Sequence, residues 1–336
     1  MNQKNKPRAY FSSPFIPSEL VSACGFSPVS NMLAFEHVKS DNTLTGVCAF
    51  ARTFANHAKQ VCKHDVIIFT SICDQLRRIS ELVSPADNDN IFLFNMPATW
   101  QTEASFYLYK AELNRLTNFL CKKSNIIFED KILANEIEKY NFQKEKLNSI
   151  SQNFSADAKL KLAAHFHKHQ TIDNFSKQVS TPSKPNSNKP RIAFIAGDLL
   201  PQESWIYKEI ALAGAEISLD LSECSLQNLT KTFDLDLEKD SAFNSMSKFY
   251  FEAINDAFRR PDIKFRNKIE SLIRTQKIAG VIIQHYVWCD IWQAQASALS
   301  KHLSIPVLNI DCDAESANNR QRLVTRIHAF IEMLHD

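Results

Sequence analysis

The chain has 336 residues, 44% of them hydrophobic and 23% charged, with a formal net charge of +2. That is the balance of a globular protein long enough for two ordinary domains, and so small a charge gives no reason to expect nucleic acid or an anionic membrane as partner. No apolar run reaches the roughly 18 residues that a membrane helix needs. The basic start MNQKNKPRAYF lacks the apolar stretch of a secretory signal, so a cytoplasmic protein is expected.

In chain order, Asp65–Ile72 (DVIIFTSI) is a short β-branched apolar run and is expected to be a buried strand. Residues 74–83 follow with helical spacing, Ile91–Phe94 reads as another strand, and residues 102–121 as a helix. The stretch 125–162 is long, charged and mostly helical by pattern. Val179–Pro190 (VSTPSKPNSNKP) is rich in Ser, Pro, Asn and Lys and reads as a linker. Beyond it come a strand at Arg191–Ala196, a helix at Ser204–Ala213 stopped by Gly214, and a strand at Ala215–Leu221. Residues 243–276 are expected to be largely helical. A strand at 280–288, a helix at 290–303, a strand at 306–310 and a closing helix at 319–334 complete the chain.

Long apolar strands alternating with helices imply parallel sheets covered on both faces. The expected fold is therefore α/β: two Rossmann-like parallel-sheet domains, with residues 1–178 an N-terminal domain carrying a helical extension, 179–190 the linker, and 191–336 the C-terminal domain. Glycine is scarce, at 5 residues where average usage would give about 24. Neither a P-loop nor a dinucleotide-binding fingerprint is present, so any ATP chemistry has to come from another protein.

The 8 cysteines have neither the spacing of a small disulfide scaffold nor a C-x-x-C zinc signature. Two of them sit in matched text, VIIFTSICDQLRRI around Cys73 and VIIQHYVWCDIWQAQ around Cys289. Each is a buried strand running into Cys-Asp and then an amphipathic helix, one in each half. Open α/β sheets bind ligands beyond the carboxyl ends of their strands. A cysteine there also faces a helix N-terminus, which stabilises a thiolate, and Asp74 and Asp290 can cap the helix or orient ligands. Cys48, just after Gly46 at another helix start, has a similar setting. Two readings stand at this point: three ordinary buried cysteines, or three thiolates that converge between the domains on a 4Fe–4S cluster with one iron open.

Cys62, Cys121, Cys224 and Cys312 have no matched partner and read as packing residues, while Cys24 and Cys312 fall in expected loops. His165, His167 and His169 alternate in AHFHKHQ, but on a helix alternate positions diverge, so a solvated face is expected. Arg77, Arg78 and Arg326 are candidates for phosphate contacts or salt bridges. The run 233–240 reads as a solvated acidic loop, and Tyr286 and Trp288 as shields of Cys289 or as core.

Six segments taken in order carry a resemblance. They are IPSELVSACGFSPV (16–29), GVCAFAR (46–52), FTSICDQLRRI (69–79), KPRIAFIAGDLL (189–200), WCDIWQ (288–293) and the stretch 305–334 with its Pro-x-Leu, acidic loop, Thr-Arg and Glu-Met. Together they resemble the subunits of the 2-hydroxyacyl-CoA dehydratase / benzoyl-CoA reductase family, of the 2-hydroxyglutaryl-CoA dehydratase D-component type. The resemblance implies a 4Fe–4S cluster held between the domains by Cys48, Cys73 and Cys289, with a double-cubane cluster as a variant. It implies an acyl-CoA substrate, a dimer with a paralogous subunit or with itself, and a separate ATP-dependent iron–sulfur activator. The activity implied is one-electron, ketyl-radical dehydration of a 2-hydroxyacyl-CoA, a lyase reaction. The alternatives are aromatic acyl-CoA reduction of the benzoyl-CoA reductase type, or a non-catalytic electron-relay or scaffold subunit. Two departures from the family pattern are Cys24, where a small residue is common, and the segment around Cys224, which lacks the usual Gly and Arg.

Overall fold

The computed structural model describes residues 6–35, 44–83, 89–173, 175, 189–254, 256–313 and 317–335. The linker expected at 179–190 lies, as far as residue 188, outside the described residues. Among these, eight strands form two four-stranded sheets, one from each half of the chain. The first holds β1 (Arg8–Phe11), β2 (Ser27–Val29), β3 (Val66–Thr70) and β4 (Ile91–Phe94), in the order β2-β1-β3-β4. The second holds β5 (Arg191–Ala196), β6 (Glu216–Asp220), β7 (Gly280–Tyr286) and β8 (Val307–Cys312), in the order β6-β5-β7-β8. Every pairing is parallel. The two halves thus repeat one topology, in which the strand order reverses between the first and third strands.

The expected α/β class with parallel sheets is what the structure has. All five residues of β3 and the last five of β5 are buried, which explains their unbroken apolar text: helices cover both faces. Two strands escape the sequence reading. The first, RAYF, is only four residues long and follows a basic start. The second, SPV, contains Pro28, which cannot donate to a ladder; it is tolerated because β2 is an edge strand.

The helices are α1 (Ser18–Ala23), α2 (Ala49–Ala58), α3 (Asp74–Leu82), α4 (Glu103–Ser124), α5 (Asp130–Ser151), α6 (Ala156–His169), α7 (Trp205–Leu212), α8 (Leu226–Leu229), α9 (Ala242–Ala253), α10 (Ile263–Thr275), α11 (Asp290–His302) and α12 (Ala317–Met333). The stretch 125–162, expected to be mostly helical, is so, with a break before Ser155, whose hydroxyl caps α6 by accepting from the Ala158 N–H. The stretch 243–276 is likewise two helices, α9 and α10. Pro261 stands between them, and its ring and missing N–H stop a helix from passing through.

Packing ties the halves together. One apolar core holds Tyr10, Ile67 and Phe69 from the first sheet together with Phe194 and Ile282 from the second. Helix α9, from the second half, packs against the first: Phe243, Met246 and Phe251 share a core with Tyr109, Leu113 and Ile137. The Asp130 carboxylate accepts from the N–H groups of Ala242 and Phe243 at 2.8 and 2.9 Å, so a residue of the first half caps a helix of the second. Among the described residues, no helix is long and apolar enough to cross a membrane.

Candidate functional site

The strand-order reversals place four loops at the carboxyl edges of the sheets, after β1, β3, β5 and β7, where open α/β sheets carry their sites. These loops bring Ser12, Cys73, Asp198 and Cys289. The edges face one another. The Ser12 hydroxyl of the first half and the Asn31 amide, just after β2, both donate to the buried Asp198 carboxylate of the second. Gly197 precedes Asp198 because a Cβ there would stand 2.5 Å from Nε1 of Trp292, which closes over the β5 end.

The three cysteines singled out in the sequence each occupy the N-cap of a helix: Cys48 of α2, Cys73 of α3 and Cys289 of α11. The sulfur itself does the capping in two cases. Cys48 Sγ accepts from the Ala51 N–H and Cys73 Sγ from the Leu76 N–H, both at 3.4 Å. Asp74 therefore does not cap α3; it lies one residue inside and pairs with Arg77 at 2.6 Å. Gly46, at φ 71°, makes the left-handed turn that delivers the chain into Cys48.

Burial pushes the Cys48 thiol up to about 11, against the pull of the Ala51 N–H, and the nearby Cys73 pushes it further. Burial also raises Cys73, with the Leu76 and Gln75 N–H groups opposing. Cys289 is pushed up to about 12, by burial first; the Trp292 N–H opposes this, and the charges of Cys48 and Cys73 add to it. The three sulfurs are thus close enough to feel one another, although two belong to one half and the third to the other.

Gln75 joins the three segments. Its side-chain oxygen accepts from the Cys48 N–H at 2.7 Å, and its amide nitrogen donates to the Trp288 carbonyl at 2.5 Å, one residue before Cys289. Trp288 takes a left-handed backbone, φ 70°, which a bulky residue rarely adopts, and is 60% exposed. Of the two aromatics expected around Cys289, Tyr286 is buried and Trp288 stands at the surface.

No three His, Cys, Asp or Glu side chains among the described residues lie close enough to grip a single metal ion. A four-iron cluster takes one thiolate per iron, so its ligands need not meet at a point. Three thiols at three helix N-termini, with Cys48 and Cys289 both feeling the charge of Cys73, suit that requirement, because each N-terminus favours the anionic sulfur.

The remaining candidates resolve locally. Arg77 pairs with Asp74 and Glu81, Arg78 lies 3.9 Å from Asp74, and Arg326 sits 3.6 Å from Asp311. Cys62, expected to pack, is exposed. Cys24 and Cys312, expected in loops, are fully buried at the end of α1 and in β8. Cys121 lies against Cys24, and the contact raises one thiol and lowers the other.

The histidine triplet departs from expectation. His169 is exposed, but His167 is buried, because α6 packs between the halves and turns this position inward. His167 Nδ1 lies 2.8 Å from Ser30 Oγ, while Nε2 has no hydrogen-bond partner. Such an orphan costs about 1–3 kcal/mol when nothing completes it. Burial lowers the imidazole to about 4, so the ring is neutral at physiological pH.

His167 lines a cavity of about 110 Å³ between the halves, together with Asn31, Asp198, Glu223, Asp256 and Trp292. Burial pushes Asp198 up to about 6, with Ser12 and Asn31 pulling down and Asp256 pushing up. Glu223 is raised well above the carboxylate range by burial and by the charges of Asp256 and Asp198. The charge of Glu223, which lines the cavity, also reaches Cys73 and Cys289.

Sequence reasoning missed Gln75, Ser12, Asn31, Asp198 and Glu223, and set His167 aside. One signal was present for Asp198: Gly-Asp at the end of the buried strand RIAFIA, in a protein with only 5 glycines. The others carry no local mark, since each acts on residues distant in the chain.

Comparison with solved structures gives weak likenesses only. The Mn-bound periplasmic metal binding protein from Candidatus Liberibacter asiaticus is 11% identical, with a TM-score of 0.22, over 98% of this chain and 100% of that one. The laminin binding protein Lmb of Streptococcus agalactiae is 9% identical, with a TM-score of 0.22, over the same shares. Scores so low support no argument about this chain. No curated protein matches it. The family model for the 2-hydroxyglutaryl-CoA dehydratase D-component, by contrast, matches residues 14–334, which takes in every strand but β1 and all three N-cap cysteines, and the chain belongs to that family as a dehydratase-type subunit.

Proposed function

We propose that this chain is the iron–sulfur subunit of a 2-hydroxyacyl-CoA dehydratase-like lyase, eliminating water from the thioester by one-electron, ketyl-type chemistry. The observation that carries the reading is the nearness of Cys48, Cys73 and Cys289, each at a helix N-terminus, with Cys48 feeling the charge of Cys73 and Cys289 that of both. These three thiolates would hold a 4Fe–4S cluster, which when bound supplies single electrons at low potential.

The chain's own residues supply the setting. The helix N-termini of α2, α3 and α11 lower the cost of holding negative charge on sulfur. Gln75 fixes the Cys48 and Cys289 segments relative to Cys73 through its two bonds. Trp292, which lines the cavity beside Cys289, keeps the interior side apolar. Asp198 and His167 both line the cavity between the halves. The chain has no phosphate-binding glycine loop, so the energy for a low-potential electron would come from an ATP-dependent partner protein, and a second subunit would complete the enzyme.

The test is anaerobic purification of the full chain with any subunit that accompanies it, followed by iron and sulfide analysis. A brown protein with about four irons per chain is expected; about eight would point to the double-cubane variant. Cys48→Ala, Cys73→Ala and Cys289→Ala each lose iron, while Cys62→Ala and Cys121→Ala keep it. A preparation that binds zinc and no iron under these conditions defeats the reading.

A further inference from the structure

Two cysteines outside the candidate site lie against each other. Cys24 closes α1, its N–H donating to the Leu20 carbonyl at 3.0 Å, and its side chain is fully buried. Cys121 stands in the last turn of α4, where its carbonyl accepts from the N–H groups of Asn125 and Ile126, and it is half-buried. Gly25 is what lets the two helix ends meet. Its φ is 89°, and a Cβ there would stand 2.3 Å from Ile126 Cδ1 and 3.3 Å from Ser124 Cβ. The chain leaving α1 therefore lies on the end of α4 more closely than a side chain would permit.

Cys24 belongs to the apolar core that α1 shares with α4, and Cys121 packs onto the rim of that core. Both are free thiols. The hydrogen bond between them makes the two unlike: it lowers the Cys121 thiol and, together with burial, raises that of Cys24. Burial raises Cys48, Cys73 and Cys289 instead, so that without a metal these three stay protonated. The pair thus combines a half-exposed sulfur that favours the thiolate with a buried thiol beside it, which is the arrangement of an attacking and a resolving cysteine.

We propose that Cys24 and Cys121 are a reversible oxidation site, converted by hydrogen peroxide into a disulfide that ties α1 to α4. The Cys121 thiolate attacks one peroxide oxygen and the O–O bond breaks. Cys121 becomes a sulfenic acid, and the departing hydroxide takes up the proton that Cys121 gave up and leaves as water. The Cys24 sulfur then attacks the sulfenic sulfur; the S–O bond breaks, and the second hydroxide leaves as water with the Cys24 proton. Two thiols and one peroxide give one disulfide and two waters, the sulfurs losing the two electrons that the peroxide oxygens gain. Cys48 and Cys73 fall between Cys24 and Cys121 in the chain. The bond therefore closes the segment that presents two of the three candidate cluster ligands while consuming neither, and it forms whether or not a cluster is held.

The full chain, purified anaerobically with any subunit that accompanies it, is treated with one equivalent of hydrogen peroxide, alkylated with iodoacetamide in urea and digested without reductant. Peptide mass spectrometry should show Cys24 joined to Cys121 as the main disulfide. Alkylated Cys24 and alkylated Cys121 should be lost together, while the buried Cys224 and Cys312 stay alkylated, and dithiothreitol should restore both. In Cys24→Ser the sulfenic acid has no resolving thiol and should be trapped at Cys121 by dimedone; in Cys121→Ser, Cys24 should stay reduced. Circular dichroism establishes that both variants fold. Oxidation of Cys121 with Cys24 still fully alkylated overturns the proposal. So does a disulfide among Cys48, Cys73 and Cys289 that forms in preference, or oxidation of Cys62 while Cys24 and Cys121 both remain free.

Discussion

The side-chain amide of Gln75 donates to the main-chain carbonyl of Trp288, a residue 213 positions away, and so bonds the segment before Cys289 to the helix that follows Cys73. The same side chain accepts from the Cys48 N–H. Gln75→Leu leaves both backbone groups without their partner. Unfolding in urea should show a loss of about 1–3 kcal/mol. Iron content after anaerobic reconstitution should fall below that of the unaltered protein but stay above that of Cys73→Ala. Iron unchanged in Gln75→Leu would mean that the cysteines hold their places without this link.

The thiols differ in reactivity for a physical reason. Cys62 is exposed, whereas burial pushes Cys48 and Cys289 up to about 11 and 12. In metal-free protein at pH 8, iodoacetamide should modify Cys62 first, with Cys48 and Cys289 following only as the pH climbs. Folding raises these two thiols above their ordinary 9.0, so their contribution to stability is present below about pH 9 and lost as pH rises through about 11–12. Peptide mass spectrometry of a timed alkylation series checks the order. Equal rates for all three at pH 8 would contradict it.

Asp198 gives a pH signature in the acid range. Its carboxyl is pushed from 3.8 up to about 6, chiefly by burial, so the folded chain holds this proton more tightly than the unfolded one. The associated stability is present below about pH 4 and lost as pH rises through 6, a change of about 3 kcal/mol at most. Asp198→Asn should remove that component. Subtracting the urea stabilities of variant and unaltered protein at each pH between 4 and 7 should give a difference that rises with pH in favour of the variant. A flat difference means Asp198 does not titrate in this window.

Glu19 and Lys144 form an ion pair at 2.7 Å with both side chains buried, and Tyr250 donates to the other Glu19 oxygen at 2.7 Å. The three residues come from α1, α5 and α9, so the ion pair lies within the first half and the Tyr250 bond ties it to the second. Lys144→Met strands a buried carboxylate and should cost about 3–5 kcal/mol. The double variant Glu19→Leu/Lys144→Met should recover most of that loss, since apolar replacements remove both desolvation penalties. A double variant as unstable as the single one would show that packing, not charge, is what Lys144 supplies.

Much of the frame was legible because it is encoded locally. The strands VIIFT, IFLF and RIAFIA announce themselves by unbroken apolar text, and each of the three N-cap cysteines stands where such a strand or a glycine turn meets an amphipathic helix. Short elements were not legible: RAYF and SPV are held as strands by their neighbours, and Pro28 argues against a strand until the edge position is known. The long stretches read as mostly helical are so, but the breaks before Ser155 and at Pro261 had to come from the structure, because a single capping or ring effect ends a helix that periodicity alone would continue.

The sequence by itself determined the α/β class, the parallel sheets and the three cysteines at helix starts, because periodicity and capping act over a few residues. Only the tertiary structure decided that Cys48, Cys73 and Cys289 lie within reach of one another, that Ser12 and Asn31 hold Asp198, and that His167 faces a cavity while His169 faces solvent. These are facts about side chains far apart in the chain. Their surroundings are set by which helix faces pack together, and one helical text serves equally well buried or exposed until a neighbour covers it.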